Sequence, residues 1–202
     1  MNIQYWLQLF WQQIKETDIW QWAATVFGIA EVLFARFNNI LLYPTGIVSC
    51  IISIWILFHV KLYAECLLTG YYIVMSIYGW WVWMKKKGYK ETKTSYSNNS
   101  EWIITASIVA GGTVVLYFAL HAFTNSNVPF LDAFVSATAW AGMWLLARRK
   151  IENWVLLNIS NIVAIPLLFY KQLPLFALVT IFLFIVAIQG YFSWKKAIVL
   201  NA

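Results

Sequence analysis

The chain has 202 residues, of which 62% are hydrophobic and only 11% charged, against roughly 25% charged in an average soluble domain. That balance excludes an ordinary water-soluble fold and describes an all-α integral membrane protein with several helices. The net charge of +6 does not point to nucleic acid, because Lys and Arg gather at the ends of apolar stretches and form no binding stripe.

Residues 1–18 carry Ile3, Trp6, Phe10 and Ile14 on one helical face. They predict a short amphipathic helix lying along the membrane surface; a loose lead-in with no role is the alternative. No basic n-region precedes the first apolar stretch, so it does not read as a cleavable signal peptide. Seven stretches near the ~20 residues that span a bilayer follow, at 19–37, 39–59, 62–84, 101–123, 130–148, 152–170 and 174–194. Asp18 and Ser100 are the expected N-caps of the first and fourth. Pro44 and Pro166 fall inside spans, where neighbouring helices take up the freed carbonyls. The polar, Ser- and Asn-rich segment 85–100 reads as a flexible cytoplasmic linker. Cys50 and Cys66 lie within spans and read as small apolar side chains, not as a disulfide or a metal site.

Basic residues mark one side of the membrane. Arg36, the run at 85–90, Arg148–Lys150 and Lys195–Lys196 all close odd-numbered spans, while the opposite side has Lys15, Lys61 and Lys171. Cytoplasmic loops carry the basic excess, so the expected topology is N-terminus outside and C-terminus inside. An internal repeat supports it. Gly79 and Gly190, Trp83 and Trp194, and Lys85 and Lys196 are each separated by 111 positions. Two three-helix units, at 19–84 and 130–196, are therefore expected in the same orientation, joined by a connector helix at 101–123. Such a three-plus-one-plus-three parallel repeat belongs to transporters that bind their solute between the halves.

Polar residues interrupt these spans. Trp154, Asn158 and Asn161 share one face of the sixth, and Glu65, Thr69, Tyr72 and Ser76 form a stripe along the third. Glu31 lies more than a turn from either end of the first, Trp140 stands in the fifth and Gln189 in the seventh. Serine and threonine can bond their own helix, and asparagine and glutamine can simply join helices. A carboxylate at depth marks a pathway or site by default. Aromatic rings beside carboxamides and a carboxylate suit a flat heterocycle, with cation–π attraction if it is positively charged. No phosphate-binding loop or HExxH is visible. No enzyme and no cofactor is expected, and transport without an energy source runs downhill. Ala133, Ala137 and Ala141 read as a packing ridge.

The segments "PFLDAFVSATAWAGMWLLARRKIENW", "KLYAE" and "IYGWW" resemble the PnuC family of bacterial vitamin transporters, over about residues 19–196. The resemblance implies seven core helices related to the SWEET sugar transporters, location in the inner membrane, and facilitated diffusion with a cytoplasmic vitamin kinase trapping the substrate. It also points to a homotrimer. Nicotinamide riboside carriers of this family have W-x-x-W on the sixth span; here Trp154 is followed by Leu157 and then Asn158. That W-x-x-x-N resembles the thiamine branch, PnuT, so thiamine is the expected substrate and nicotinamide riboside the alternative. A substrate-binding component of an ATP-driven vitamin importer is a further one. The expected binding residues are Trp154, Asn158, Asn161, Glu31, Tyr72, Thr69, Ser76, Trp140 and Gln189.

Overall fold

The computed structural model describes residues 3–85, 93–124 and 126–200. Its helices are α1 (Ile3–Glu16), α2 (Ile19–Arg36), α3 (Leu42–His59), α4 (Tyr63–Lys85), α5 (Asn99–Phe123), α6 (Pro129–Ala147), α7 (Asn153–Tyr170) and α8 (Pro174–Leu200). Five of them, α3 and α5 to α8, are long and apolar enough to cross a membrane. The expected first and third spans, α2 and α4, fall outside that group. Gln21, Glu31 and Arg36 interrupt α2, while α4 combines Glu65 with many tyrosines and tryptophans, whose ring polarity lowers its mean hydropathy. Large apolar side chains such as Val74, Ile77, Val115, Phe118, Phe182 and Ile185 face outward, as a bilayer in place of water allows.

Six helices close a ring. In order around it, α2 packs on α3, α3 on α4, α4 on α6, α6 on α7, α7 on α8, and α8 on α2. Among the described residues α3 and α7 do not meet, so they stand opposite each other across the ring's axis. Outside the ring, α5 runs along α6 and touches α4. The alanine ridge makes the α5 contact close. Ala133, Ala137 and Ala141 are fully buried, and a Cβ at Gly112 would lie 3.1 Å from that of Ala137.

The offset of 111 read from the sequence reappears in the backbone. Asn38, Lys61, Arg149 and Gln172 have φ of 53°, 62°, 56° and 58°. The first and third are 111 apart, as are the second and fourth. Each follows a helix by two residues and donates its N–H to a carbonyl three residues back, from Asn38 to Ala35, Arg149 to Leu146, Lys61 to Phe58 and Gln172 to Phe169. This left-handed cap costs a residue with a side chain roughly 1–2 kcal/mol, yet it recurs at both helix ends of both units. Side chains follow suit. Ser49 Oγ donates to Ala24 O at 2.8 Å, and Ser160 Oγ to Val135 O at 2.9 Å.

Three local expectations change. α5 is capped by Asn98, not Ser100. The Asn98 carboxamide accepts from Glu101 N, and the Glu101 carboxylate accepts from Asn98 N, a capping box. Half of the expected linker, 86–92, lies outside the described residues; 93–98 is tied down. Ser95 N donates to Arg149 O and Ile151 N to Ser95 O, while Ser97 N and Oγ donate to the Glu152 carboxylate. At the other terminus α1 keeps Trp6, Phe10 and Ile14 half-buried but leaves Ile3 exposed. It is fastened to the α7–α8 turn by Gln13, which donates to Gln172 O and accepts from Leu175 N.

Candidate functional site

Four aromatic rings plug one end of the ring of helices. Tyr43 and Trp83 meet edge to face at 5.1 Å, and Trp154 and Trp194 do so at 5.7 Å. The two pairs are related by the offset of 111. Each edge-to-face contact adds about 0.5–1.5 kcal/mol to the burial of the rings. Glycine makes the seats. A Cβ at Gly79 would come within 2.5 Å of the Tyr43 ring, and one at Gly190 within 2.6 Å of the Trp154 ring. The closing tryptophans then tie the units together: Trp83 Nε1 donates to Ala147 O at 3.2 Å, and Trp194 Nε1 to Ala35 O at 3.0 Å. The Arg149 guanidinium lies over Trp83, 3.8 Å from its ring centre.

The plug gives every ring helix an inward reference point. On α4, Gly79 and Trp83 continue the stripe of Glu65, Thr69, Tyr72 and Ser76 at spacings of three and four, so Tyr72 and Ser76 face the axis above the plug. On α7, Asn158 and Asn161 follow Trp154 in the same way. Glu31 lies one turn from Ala35 on α2, and Gly46 and Cys50 rise from Tyr43 on α3. Glu31 reaches across to α3, where a Cβ at Gly46 would lie 2.5 Å from its carboxyl group. Glu31 and Tyr72 are both half-buried.

This layer holds unused hydrogen-bonding capacity. Ser76 Oγ, Thr138 Oγ1 and Asn158 Oδ1 are buried with no hydrogen-bond partner among the described residues, as are Tyr43 OH and Trp154 Nε1 in the plug. Leaving such a group unpaired costs about 1–3 kcal/mol, so inward-facing groups of this kind suit a polar solute. Tyr71 stacks on Trp140 at 4.5 Å and donates its hydroxyl to Trp140 O at 3.1 Å, which fixes the indole where α4 meets α6.

The structure thus brings Glu31, Tyr72, Ser76, Asn158 and Asn161 to the ring's inner side, Asn161 half-buried two turns from Trp154, while Trp140 packs with Ala133, Ala137 and the α5 residues Leu116 and Leu120 on the side of α6 that faces α5. It treats three other expected residues differently. Gln189 is exposed on the outer face of α8, because Gly190 and Trp194 turn that helix so that Ala187 takes the inner position. The Thr69 hydroxyl is engaged by Glu65 O of its own helix at 2.9 Å. Trp154 lies in the first turn of α7, walled in by Gly190 and Trp194; it belongs to the plug at the ring's end. Tyr43, Gly46 and Cys50 were missed. Extending the offset beyond Gly79 and Trp83 finds them, since Tyr43 pairs with Trp154, Gly46 with Leu157 and Cys50 with Asn161.

On the plug's side, a second cluster joins α5 to the turn between α6 and α7. The Glu101 carboxylate accepts from Arg148 Nε and pairs with Lys150 Nζ, both at 3.1 Å. Lys150 Nζ also donates to Ser95 Oγ and Tyr96 O.

Comparison with known proteins places the chain. A family model described as "Nicotinamide mononucleotide transporter" matches residues 18–196. The nicotinamide riboside transporter PnuC of Escherichia coli (strain K12) is 21% identical over 196 residues, covering 84% of this chain and 82% of that protein. The nicotinamide riboside transporter PnuC of Neisseria mucosa is 26% identical over 189 residues, covering 87% and 71%. The crystal structure of the vitamin B3 transporter PnuC shares the fold, with a TM-score of 0.72 at 24% identity over 99% of this chain and 91% of that one.

Proposed function

Because the chain belongs to the nicotinamide mononucleotide transporter family, we propose that it carries a vitamin-sized cationic heterocycle across a bacterial inner membrane, with nicotinamide riboside as the leading substrate. The observation that carries this reading is the layer above the plug, where the Glu31 carboxyl group shares the ring's inner side with the unpartnered Ser76, Thr138 and Asn158. A pyridinium ring matches the carboxylate and the aromatic side chains, and a carboxamide matches Asn158 and Ser76. The names of the relatives support nicotinamide riboside over the thiamine expected from W-x-x-x-N. Thiamine stays as the second reading for one reason: Leu157 occupies the second position of W-x-x-W and packs against Gly142 of α6.

In this reading α2 to α8 are seven spans in a three-plus-one-plus-three arrangement, with the N-terminus outside and the basic helix ends in the cytoplasm. The aromatic plug closes the cytoplasmic end. Movement is by facilitated diffusion, a cytoplasmic kinase traps the product, and the chain works as a homotrimer. The test is uptake of labelled nicotinamide riboside and thiamine into liposomes holding only the pure protein, without ATP. Saturable uptake of nicotinamide riboside in preference to thiamine is the expected result, and the reverse preference selects the second reading. Binding of either without uptake would instead identify a capture subunit that needs an ATPase.

A further inference from the structure

The two units agree at the plug and differ one turn beyond it. Glu31 corresponds to Gly142, and Gly46 to Leu157, both at the offset of 111. The equivalent clamps from Ser49 to Ala24 and from Ser160 to Val135 hold the helices in equal register, so the difference lies in side chains and not in helix placement. In the second unit the glycine is on α6 and α7 fills it: a Cβ at Gly142 would stand 3.0 Å from Leu157 Cδ2. In the first unit the glycine is on α3 and a carboxylate from α2 fills it. A Cβ at Gly46 would lie 2.5 Å from Cδ and Oε1 of Glu31 and 2.8 Å from its Oε2. Any side chain at position 46 therefore displaces the carboxyl group itself.

Glu31 has no ion-pair partner among the described residues. A carboxylate at depth is costly without a cation, and here only one side of the ring carries it. The opposite side presents Leu157, Asn158 and Thr138. We infer that Gly46 is a positioning residue for substrate specificity: by seating the Glu31 carboxylate against α3 it makes the passage one-sided, so that the solute lies with its cationic part toward α2 and α3 and its uncharged hydrogen-bonding edge toward α6 and α7. This rests on the transport reading above and adds the direction in which the solute lies.

The experiment is calorimetric titration of the purified full-length protein with two probes of nearly equal shape, nicotinamide riboside, a cation, and its neutral 1,4-dihydro form. The wild type prefers the cation. Gly46→Ala lowers that preference about tenfold, the scale of one charged contact. Glu31→Gln does the same, and combining the two adds nothing further. Glu31→Asp placed in the Gly46→Ala background shortens the acid, clears the new methyl and restores part of the preference. Gly142→Ala, at the matching notch, leaves the ratio unchanged. Equal weakening of both probes by Gly46→Ala and by Glu31→Gln would reduce the notch to packing and overturn the inference while leaving the transport reading in place. A wild type that binds neither probe overturns both. If Gly46→Ala fails to fold, the ratio in Glu31→Gln and in the double variant carrying Gly46→Ala with Glu31→Asp decides.

Discussion

The plug and the layer above it are built from the same six helices, yet they obey different rules. At the plug the two units are near copies, with Tyr43, Gly79 and Trp83 facing Trp154, Gly190 and Trp194, and each closing indole donates to the other unit's first helix. One turn away the copies part: a carboxylate fills the notch in one unit and a leucine fills it in the other. Symmetric packing lets two units interlock with one set of contacts. A solute with a charged end and a neutral end has no such symmetry, so a site that orients it must differ between the halves. The comparison therefore separates residues that hold the ring together from residues that face its axis.

The strongest way to break that separation is at the plug. Trp83→Ala and Trp194→Ala each remove a buried ring and its hydrogen bond, and each is expected to cost about 3–5 kcal/mol. Unfolding in detergent checks this, and a large inequality between the two would end the claim that the units share the closure equally. The next effect has no counterpart in the first unit. Glu101→Gln removes a carboxylate that is 5% exposed and pairs with Arg148, 41% exposed, and Lys150, 16% exposed. Its expected cost is about 1–2 kcal/mol, discounted for the solvent around the partners, with faster amide exchange at 93–98 as the local sign. In the layer above the plug, Asn158→Ala is expected to weaken nicotinamide riboside binding about tenfold, or ~1.4 kcal/mol, with the unfolding midpoint little changed. Trp154→Ala should instead lower stability along with binding, and a purely binding defect there would move Trp154 from the plug into the site. The smallest effect belongs to Thr69→Val. Its hydroxyl already bonds its own helix, so stability within about 0.5 kcal/mol of wild type and unchanged affinity are expected.

Much of the candidate site was legible because the repeat and the helical period carry it. The spacing of Trp154, Asn158 and Asn161 put them on one face, and the stripe on α4 did the same for Tyr72 and Ser76. Gln189 was misread because a lone polar residue in an apolar helix has no period from which to read its direction; Gly190 and Trp194, just beyond it, set the rotation that turns it outward. Residues 93–98 of the expected linker were misread for another reason. The linker's serines and asparagines signal a loop, but pairing with the turn at 149–152 depends on residues more than fifty positions away. Cys50 looked like filler because nothing local marks it, and Gly46 because the group it accommodates comes from a different helix.

Helices, their approximate ends and the offset of 111 were decided by the sequence by itself. A helix in lipid satisfies its backbone within its own segment, so these features need only local pattern and composition. Which helices close into a ring, which four rings plug it, and which carboxylate stands against which glycine were decided only by the tertiary structure. Those contacts join segments far apart along the chain, and their energy comes from shape fit between side chains that no single segment contains.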